Sequence, residues 1–239
     1  MTERRNAYGQ PIGPDVPGWT ERPFPSPTPM AGRYCRLEKL DAARHAAQLF
    51  EALSEAPDGR DWTYMFAGPF ADLGSYRSYL QRDQEKRDPQ HYAIFDERGR
   101  AAGTAALLRV EPAHGVIEVG HITYAPKLQR SRAGTEAMYL LMRRAFDELG
   151  YRRYEWKCDA LNAPSRRAAE RYGFRYEGIF RQAIVYKGRS RDTAWYSIID
   201  SEWPLIRAAF EAWLSPDNFD AGGTQRHSLA AVRAHPFLR

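Results

Sequence analysis

The chain has 239 residues, of which 43% are hydrophobic and 27% charged, with a formal net charge of +5. This balance is typical of an ordinary soluble globule, and no apolar run approaches the ~20 residues that span a bilayer, so we expect no membrane partner. The two cysteines fit a reducing cytoplasm, and scattered Lys and Arg residues argue against a nucleic-acid partner.

Residues 1–32 are predicted to form a proline-rich extended arm. Seven prolines lie between Gly9 and Gly32, and such a density forbids a helix or a central strand. Trp19 and Phe24 are apolar anchors, so we expect the arm to lie on the domain or on a partner. The arm and the last hairpin are candidate elements of a homodimer.

Residues 33–214 are predicted to form one domain, and the tail, residues 215–239, is assigned no fold. Hydrophobic periodicity and turn residues define the elements. They are a strand over 33–39, a helix capped by Asp41, a helix carrying Leu73, Tyr76 and Leu80, antiparallel strands over 91–96, 101–111 and 116–125, a helix ended by Gly150, a strand over 154–159, a helix over 164–172, strands near 181–186 and 193–199, and a helix over 204–214. This order predicts an α+β fold around one sheet.

The segment 117–174 is the most informative part of the chain. In its first part, a strand runs into a basic loop of small residues, and a strongly periodic helix follows directly. The first turn of a helix leaves N–H groups unpaired and carries partial positive charge, to which Arg130 and Arg132 add full charges. We therefore expect a phosphorylated cofactor at this loop.

Three groups of residues together resemble the GNAT superfamily of acetyl-CoA-dependent N-acyltransferases. The phosphate loop and the second motif resemble the whole superfamily, and the last hairpin resembles the branch of ribosomal-protein N-terminal acetyltransferases. The matching residues are Gln129, Gly134, Thr135, Glu136 and Ala137 in the loop, Asn162-Ala163-Pro164-Ser165 and Gly173-Phe174 in the second motif, and Gly188, Arg189, Asp192 and Glu202-Trp203 around the hairpin.

The resemblance implies a single domain with a mostly antiparallel mixed sheet, flanked by helices and splayed at the cofactor site. It implies acetyl-CoA as the cofactor and no metal. The cofactor-binding residues are then Ile122, Tyr124, Gln129, Arg130, Arg132, Ala133, Gly134, Thr135, Asn162 and Ser165. Arg132 replaces the middle glycine of the motif, so its guanidinium either binds phosphate or faces solvent while coenzyme A binds more weakly.

Acetyl transfer to an amine needs a proton acceptor, and three residues are candidates. Glu118 lies on an otherwise apolar strand, where desolvation would raise its pKa. His121 has a suitable intrinsic pKa, and Asp159 ends the next strand. An odd spacing puts Glu118 and His121 on opposite faces of a regular strand, so both can serve one site only if the strand bulges. Ser165 is the candidate donor to the leaving sulfur, although it and Asn162 are also good helix caps.

Trp62, Tyr64 and Phe66 are candidates for the wall of an acceptor pocket, with packing of a helix on a strand as the alternative. Cys158 is interpreted as a buried thiol rather than a nucleophile. The predicted function is N-acetylation of a primary amine, either a protein or peptide N-terminus or a small molecule. The alternative is a non-catalytic acyl-CoA-binding sensor or scaffold.

Overall fold

The computed structural model describes residues 4–234. Its strands are β1 (Arg4–Arg5), β2 (Pro11–Ile12), β3 (Met30–Ala31), β4 (Arg36–Lys39), β5 (Gln90–Phe95), β6 (Ala101–Glu111), β7 (Val116–Tyr124), β8 (Arg153–Asp159), β9 (Arg175–Tyr186) and β10 (Arg189–Ile199). Its helices are α1 (Ala42–Ser54), α2 (Leu73–Gln84), α3 (Arg132–Arg143), α4 (Ala163–Tyr172), α5 (Trp203–Trp213) and α6 (Leu229–Ala234). Short 3-10 turns occupy Gly59–Trp62 and Pro216–Asn218, and a π turn, Arg144–Glu148, continues α3.

Eight of the strands form one mixed sheet, in the order β3-β4-β5-β6-β7-β8-β10-β9. Neighbouring strands are antiparallel except β7 and β8, which are parallel. Strands β1 and β2 pair separately. The predicted α+β fold with a mostly antiparallel sheet is confirmed.

Two apolar clusters cover the sheet. Helices α1 and α2 bury Leu49 and Tyr76 against Ala93 and Phe95 of β5. The larger cluster joins α3, α4, α5 and α6 to the sheet, and the alternating residues of β8, among them Trp156, lie in it. Because strand residues two apart share a face, the alternation in the sequence located this core correctly.

The arm lies along the domain through hydrogen bonds that its backbone accepts. The Tyr151 hydroxyl donates to the carbonyl of Pro23 over 3.1 Å, and the Gln90 side chain donates to that of Pro25 over 3.0 Å. Proline-rich backbone keeps its carbonyl acceptors free, so it suits this role. The expectation that the arm packs on the domain is confirmed for residues 19–29, whereas residues 7–18 are exposed and Arg4–Arg5 pair with Pro11–Ile12. The division at residues 32 and 214 stays a prediction.

A buried carboxylate joins the arm's end to α3. Glu136 accepts backbone N–H bonds from Arg33, Tyr34 and Cys35 over 2.8, 2.6 and 2.8 Å. A Cβ at Gly32 would lie 2.3 Å from this carboxylate. Glu136 belongs to the loop motif, but its carboxylate binds the backbone of residues 33–35, which leads into β4, rather than a ligand.

The prediction that the tail has no fold was wrong within residues 215–234. Helix α6 buries Leu229 and Val232, and Arg233 donates to the carbonyl of Arg171 at the end of α4 over 3.0 Å. Two apolar positions are too few to show a helical period, so only packing against α4 and α5 reveals the helix. Residues 1–3 and 235–239 of the predicted arm and tail lie outside the described residues. No helix in the described chain is both long and apolar enough to cross a bilayer.

Candidate active site

The sheet opens between its two parallel strands. Strand β7 pairs with β8 only where residues 116–119 face residues 153–156, so residues 120–124 and 157–159 diverge. A cavity of about 1630 Å³ is lined by both diverging segments, by the starts of α3 and α4, and by the β9–β10 hairpin. The predicted splayed strands are confirmed, and they leave backbone groups of β7 without a sheet partner.

Strand β7 bulges at His121. Gly120 pairs with Ala106 and Thr123 with Thr104, so three steps on β7 match two on β6, and His121 has a φ of 49°. The extra residue turns the imidazole towards His91, whose ring centroid is 5.1 Å away and which lies in the same cross-strand row as Gly120. A Cβ at Gly120 would in turn lie 3.5 Å from the Glu118 carboxylate. The bulge that both candidates require is present, and it brings Glu118 and His121 to one face.

The loop before α3 presents free backbone donors. Arg130 has a φ of 57°, and the Ser131 hydroxyl caps α3 by accepting the Gly134 N–H over 2.9 Å. Within residues 4–234, the N–H groups of Arg132 and Ala133 have no acceptor. A Cβ at Gly134 would lie 2.5 Å from the carbonyl oxygen of Leu128. The loop and α3 therefore pack closely together, and the two free N–H groups at the N-terminus of α3 are suited to bind an anion.

The side chain of Arg132 is engaged within the protein. Its guanidinium donates two bonds to Glu97, over 2.6 and 2.7 Å, and lies 4.4 Å from the ring of Tyr34. Arg132 also lines the cavity, and a contact of its guanidinium with phosphate stays a prediction. Arg130, together with Arg167 and Arg171 of α4, also lines the cavity. The two α4 arginines were missed, although their spacing of four residues places them on one helix face.

The remaining predicted cofactor contacts fall into two groups. Ile122, Tyr124, Gln129 and Thr135 line the cavity. Ala133 is buried, so only its backbone is available there.

The start of α4 combines capping with a polar group at the cavity. The Asn162 side chain accepts the Ser165 N–H over 3.1 Å, and both residues line the cavity. The Ser165 hydroxyl accepts the Trp156 indole N–H over 3.0 Å, and it also hydrogen-bonds the Cys158 thiol. Cys158 is buried, and burial raises the pKa of its thiol, which agrees with an inert role.

Glu118 is a buried carboxylate between two cations. It is 5% exposed, and its Oε2 lies 2.9 Å from Lys157 Nζ and 3.3 Å from Arg109 Nε. Burial raises its pKa and the two cations lower it, with a net shift upward. The desolvated carboxylate that the sequence suggested is therefore present, and it is also paired with two cations.

His121 belongs to a polar cluster with His91 and Asp83. The Asp83 carboxylate lies 3.7 Å from His91 Nε2, and one potential ligand atom from each of the three residues lies within 4.8 Å of the others. Burial lowers the pKa of both histidines, which favours neutral imidazoles. The prediction that the protein uses no metal stays a prediction.

Asp159 is committed to two hydrogen bonds. Its oxygens accept the Leu161 N–H over 2.8 Å and the Tyr186 hydroxyl over 2.7 Å. These two bonds hold the Asp159 carboxylate to the start of α4 and to the end of β9, so the geometry favours Glu118 and His121 as proton acceptors over Asp159.

The loop that contains the pocket candidates is clamped by the β9–β10 turn. Lys187 Nζ donates to the carbonyls of Trp62 and Gly68, each over 2.8 Å. Tyr64 and Phe66 line the cavity, but Trp62 packs edge-on against Phe70, with ring centroids 5.2 Å apart. For Trp62 the packing alternative describes the structure, because its ring packs against the cluster under α1 and α2.

Two parts of the lining were not predicted. One is the inner face of β10, with Arg191, Thr193 and Trp195, and the other is the tail segment around Phe219 and Thr224. The alternation of residues 191, 193 and 195 was available in the sequence as a signal. The tail segment gave none.

The profile described as "Acetyltransferase (GNAT) domain" matches residues 35–175. The chain belongs to the GNAT acetyltransferase family. A GCN5-related N-acetyltransferase from Brucella melitensis is 48% identical, superposes with a TM-score of 0.90, and is covered over 100% of its chain by 92% of this one.

Two further proteins are similar to this chain with lower sequence identity or over less of its length. The uncharacterized N-acetyltransferase YnaD of Bacillus subtilis is 29% identical over 86 residues, which are 36% of this chain but only half (50%) of that protein. A structure from Vibrio cholerae that is described as a "putative ribosomal-protein-serine acetyltransferase" shares the fold, with 19% identity, a TM-score of 0.62, and coverage of 72% of this chain and 97% of that one. The predicted resemblance and the enzyme class are confirmed at the level of the family.

Proposed function

We propose that this protein is an acetyl-CoA-dependent N-acetyltransferase that acetylates a primary amine directly, within a ternary complex. The observation that carries the proposal is the gap between β7 and β8. It connects the free N–H groups of α3 on one side of the sheet with Glu118 and His121 on the other. A donor and an acceptor bound from opposite sides would meet at the bulge, so no covalent enzyme intermediate is required.

Coenzyme A would be held by its diphosphate and its amide-bearing arm. The N–H groups of Arg132 and Ala133 would donate to the diphosphate, with Arg130 and Arg171 adding charge. The backbone of residues 120–124, which has no β8 partner, would bond the arm. This places the thioester beside the bulge at His121.

Glu118 is the proposed proton acceptor, and His121 is the second candidate. The amine nitrogen bonds to the carbonyl carbon, the carbon–sulfur bond breaks, and the amine proton passes to the Glu118 carboxylate. The upward shift of the Glu118 pKa brings it nearer the value of a useful base. Backbone N–H groups at the bulge would stabilise the negative charge on the carbonyl oxygen, and the Ser165 hydroxyl would donate to the departing sulfur.

The test combines binding with turnover. We expect calorimetry to detect coenzyme A binding, and thiol release from acetyl-CoA to depend on an added amine from a library of peptides and metabolites. Glu118→Gln should lower kcat by roughly 10²-fold or more, the usual contribution of general-base catalysis. Glu111→Gln, at the exposed end of the neighbouring strand β6, is the matched control and should not.

The outcomes separate the proposal from its alternative. Coenzyme A binding without amine-dependent thiol release would favour an acyl-CoA sensor or scaffold and reject the transferase. Full activity in Glu118→Gln, with a hundredfold loss in His121→Asn, would transfer the base role to His121.

A further inference from the structure

Two buried polar atoms lie close together near the end of α2 without a hydrogen bond. Asp83, in the last turn of α2, is 4% exposed, and His91 of β5 is 5% exposed. Within residues 4–234, neither Asp83 Oδ2 nor His91 Nε2 has a hydrogen-bond partner. The two atoms lie 3.7 Å apart, which is too long for a hydrogen bond between them. Leaving buried polar atoms unpaired is costly, so the pair is suited to a ligand that contacts both.

A third ligand atom comes from the bulge of β7. One nitrogen of His121 lies within 4.8 Å of a ligand atom of each of the other two residues, and its ring is edge-on to that of His91. The backbone of His121 is in the left-handed region, with a φ of 49°. Such a conformation is strained for a residue other than glycine, and strain of this kind is common at functional sites.

The separations between these atoms suit a metal ion. Two ligand atoms that bind one tetrahedral Zn²⁺ over about 2.0–2.2 Å lie about 3.3–3.6 Å from each other. The separation of 3.7 Å between Asp83 and His91 is already close to this value. A shift of the His121 nitrogen by about 1 Å would complete the set. Because His121 lines the cavity, a water molecule could reach the fourth position.

Two imidazoles and one carboxylate select the class of metal. Imidazole suits Zn²⁺ and the neighbouring transition metals, whereas Mg²⁺ and Ca²⁺ prefer sets of oxygen ligands. One charge opposes binding, since Lys86 Nζ lies 2.8 Å from Asp83 Oδ1. The Lys86 side chain is 48% exposed, so solvent screens its charge. Asp83 Oδ2 remains available to the metal.

We propose that Asp83, His91 and His121 bind a divalent transition-metal ion, with Zn²⁺ as the ion to test. The ion would join the end of α2 to β5 and to the bulge of β7, and it would fix the strained backbone at His121. His121 would then be a metal ligand rather than a proton acceptor, which leaves that role to Glu118. This site replaces the absence of metal that the family resemblance implies, and it does not depend on the proposed transferase activity.

The experiment titrates Zn²⁺ into the 239-residue chain, purified without a histidine tag and first treated with a chelator. We expect calorimetry to detect one ion per chain. At a free Zn²⁺ concentration of about 100 times the Kd, the midpoint of thermal unfolding should rise by roughly 5–10 °C. Co²⁺ should give the intense visible absorption of a four-coordinate site, and Mg²⁺ should leave the midpoint unchanged.

Variants of the ligands have matched controls close by. His91→Gln and Asp83→Asn should each weaken Zn²⁺ binding by at least about 100-fold, because even groups that only orient a ligand contribute about 10–100-fold. The controls are His114→Gln in the turn between β6 and β7 and Glu85→Gln at the end of α2, both exposed, and they should bind as the wild type does. Lys86→Met should tighten binding by up to about fivefold, since it removes a cation beside Asp83.

Several outcomes would overturn the inference. Wild-type binding no tighter than that of His91→Gln and Asp83→Asn would leave the three side chains as a structural cluster. A rise in the melting midpoint that Mg²⁺ equals, or binding lost in His114→Gln, would place the ion elsewhere. If a ligand variant fails to melt cooperatively, the wild-type Co²⁺ spectrum and Lys86→Met decide. Weak absorption like that of aqueous Co²⁺, or weaker Zn²⁺ binding in Lys86→Met, would then reject the site.

Metal binding and acetyl transfer are measured separately. Calorimetry with Zn²⁺ needs neither acetyl-CoA nor an amine, so its failure would reject only the metal site. One bound ion per chain, without acetylation of any amine in the library, would reject the transferase and keep the metal site.

Discussion

Replacing Gly134 by alanine tests the packing of the phosphate loop, because two effects of known size oppose each other there. Helix propensity favours Ala over Gly by about 1 kcal/mol in a helix. The new Cβ, however, would lie 2.5 Å from the Leu128 carbonyl oxygen and 3.0 Å from Tyr124 Cε2. Loop and helix must separate by roughly 0.5 Å or more, and such overpacking costs about 1–3 kcal/mol.

We expect the steric cost to exceed the gain in propensity, since the opposing atom is a backbone carbonyl that cannot rotate away. Gly134→Ala should lower the free energy of unfolding by up to about 2 kcal/mol, or the midpoint of thermal unfolding by up to roughly 8 °C. The shift also moves the N–H groups that face the diphosphate. Loss of one such charged hydrogen bond would weaken coenzyme A binding by about ten- to a hundredfold.

Urea denaturation and calorimetric titration with coenzyme A measure the two effects. Gly74, in the first turn of α2, is the matched control, because a Cβ there would meet only the movable Asp72 carboxylate oxygen at 3.2 Å. Gly74→Ala should be neutral or stabilising and should bind coenzyme A normally. A Gly134→Ala protein as stable as the wild type, with unchanged coenzyme A affinity, would refute the argument that loop and helix fit only through this glycine.

Three further predictions concern stability and cofactor binding. Glu136→Ala leaves three backbone N–H groups without their acceptor and should cost about 3–5 kcal/mol in urea denaturation; a loss below 1 kcal/mol would contradict the role of Glu136 at the sheet entry. Burial lowers the pKa of His91 from 6.5 to about 4, so the unfolded chain binds the proton first. The free energy of unfolding should therefore fall as pH drops from 6.5 to 4, and less so in His91→Gln; equal slopes in thermal melts would count against this. Because Glu97 holds the Arg132 guanidinium, Arg132→Ala should weaken coenzyme A binding less than threefold in calorimetric titration. A tenfold loss of affinity would instead indicate that this guanidinium binds a phosphate of coenzyme A.

The sequence alone determined the order of the main elements between residues 33 and 214, the α+β fold and the position of the phosphate loop. These follow from local rules, namely alternation, helical period, caps such as Asp41, and glycines at turns, which act within a few residues of the chain. The apolar face of β8 followed from the same alternation. The loop motif fixed Gly134, although its steric reason, contact with the Leu128 carbonyl, appears only in the folded structure.

Only the tertiary structure decided which side chains share the site. The faces of Glu118 and His121 depend on a bulge that exists only in pairing with β6. The partner of Arg132 is Glu97, 35 residues away along the chain, and the ion pair of Glu118 with Lys157 likewise joins two different strands. Such contacts join residues that are distant in sequence, and their energies depend on burial and on exact pairing, which no local pattern of residues encodes.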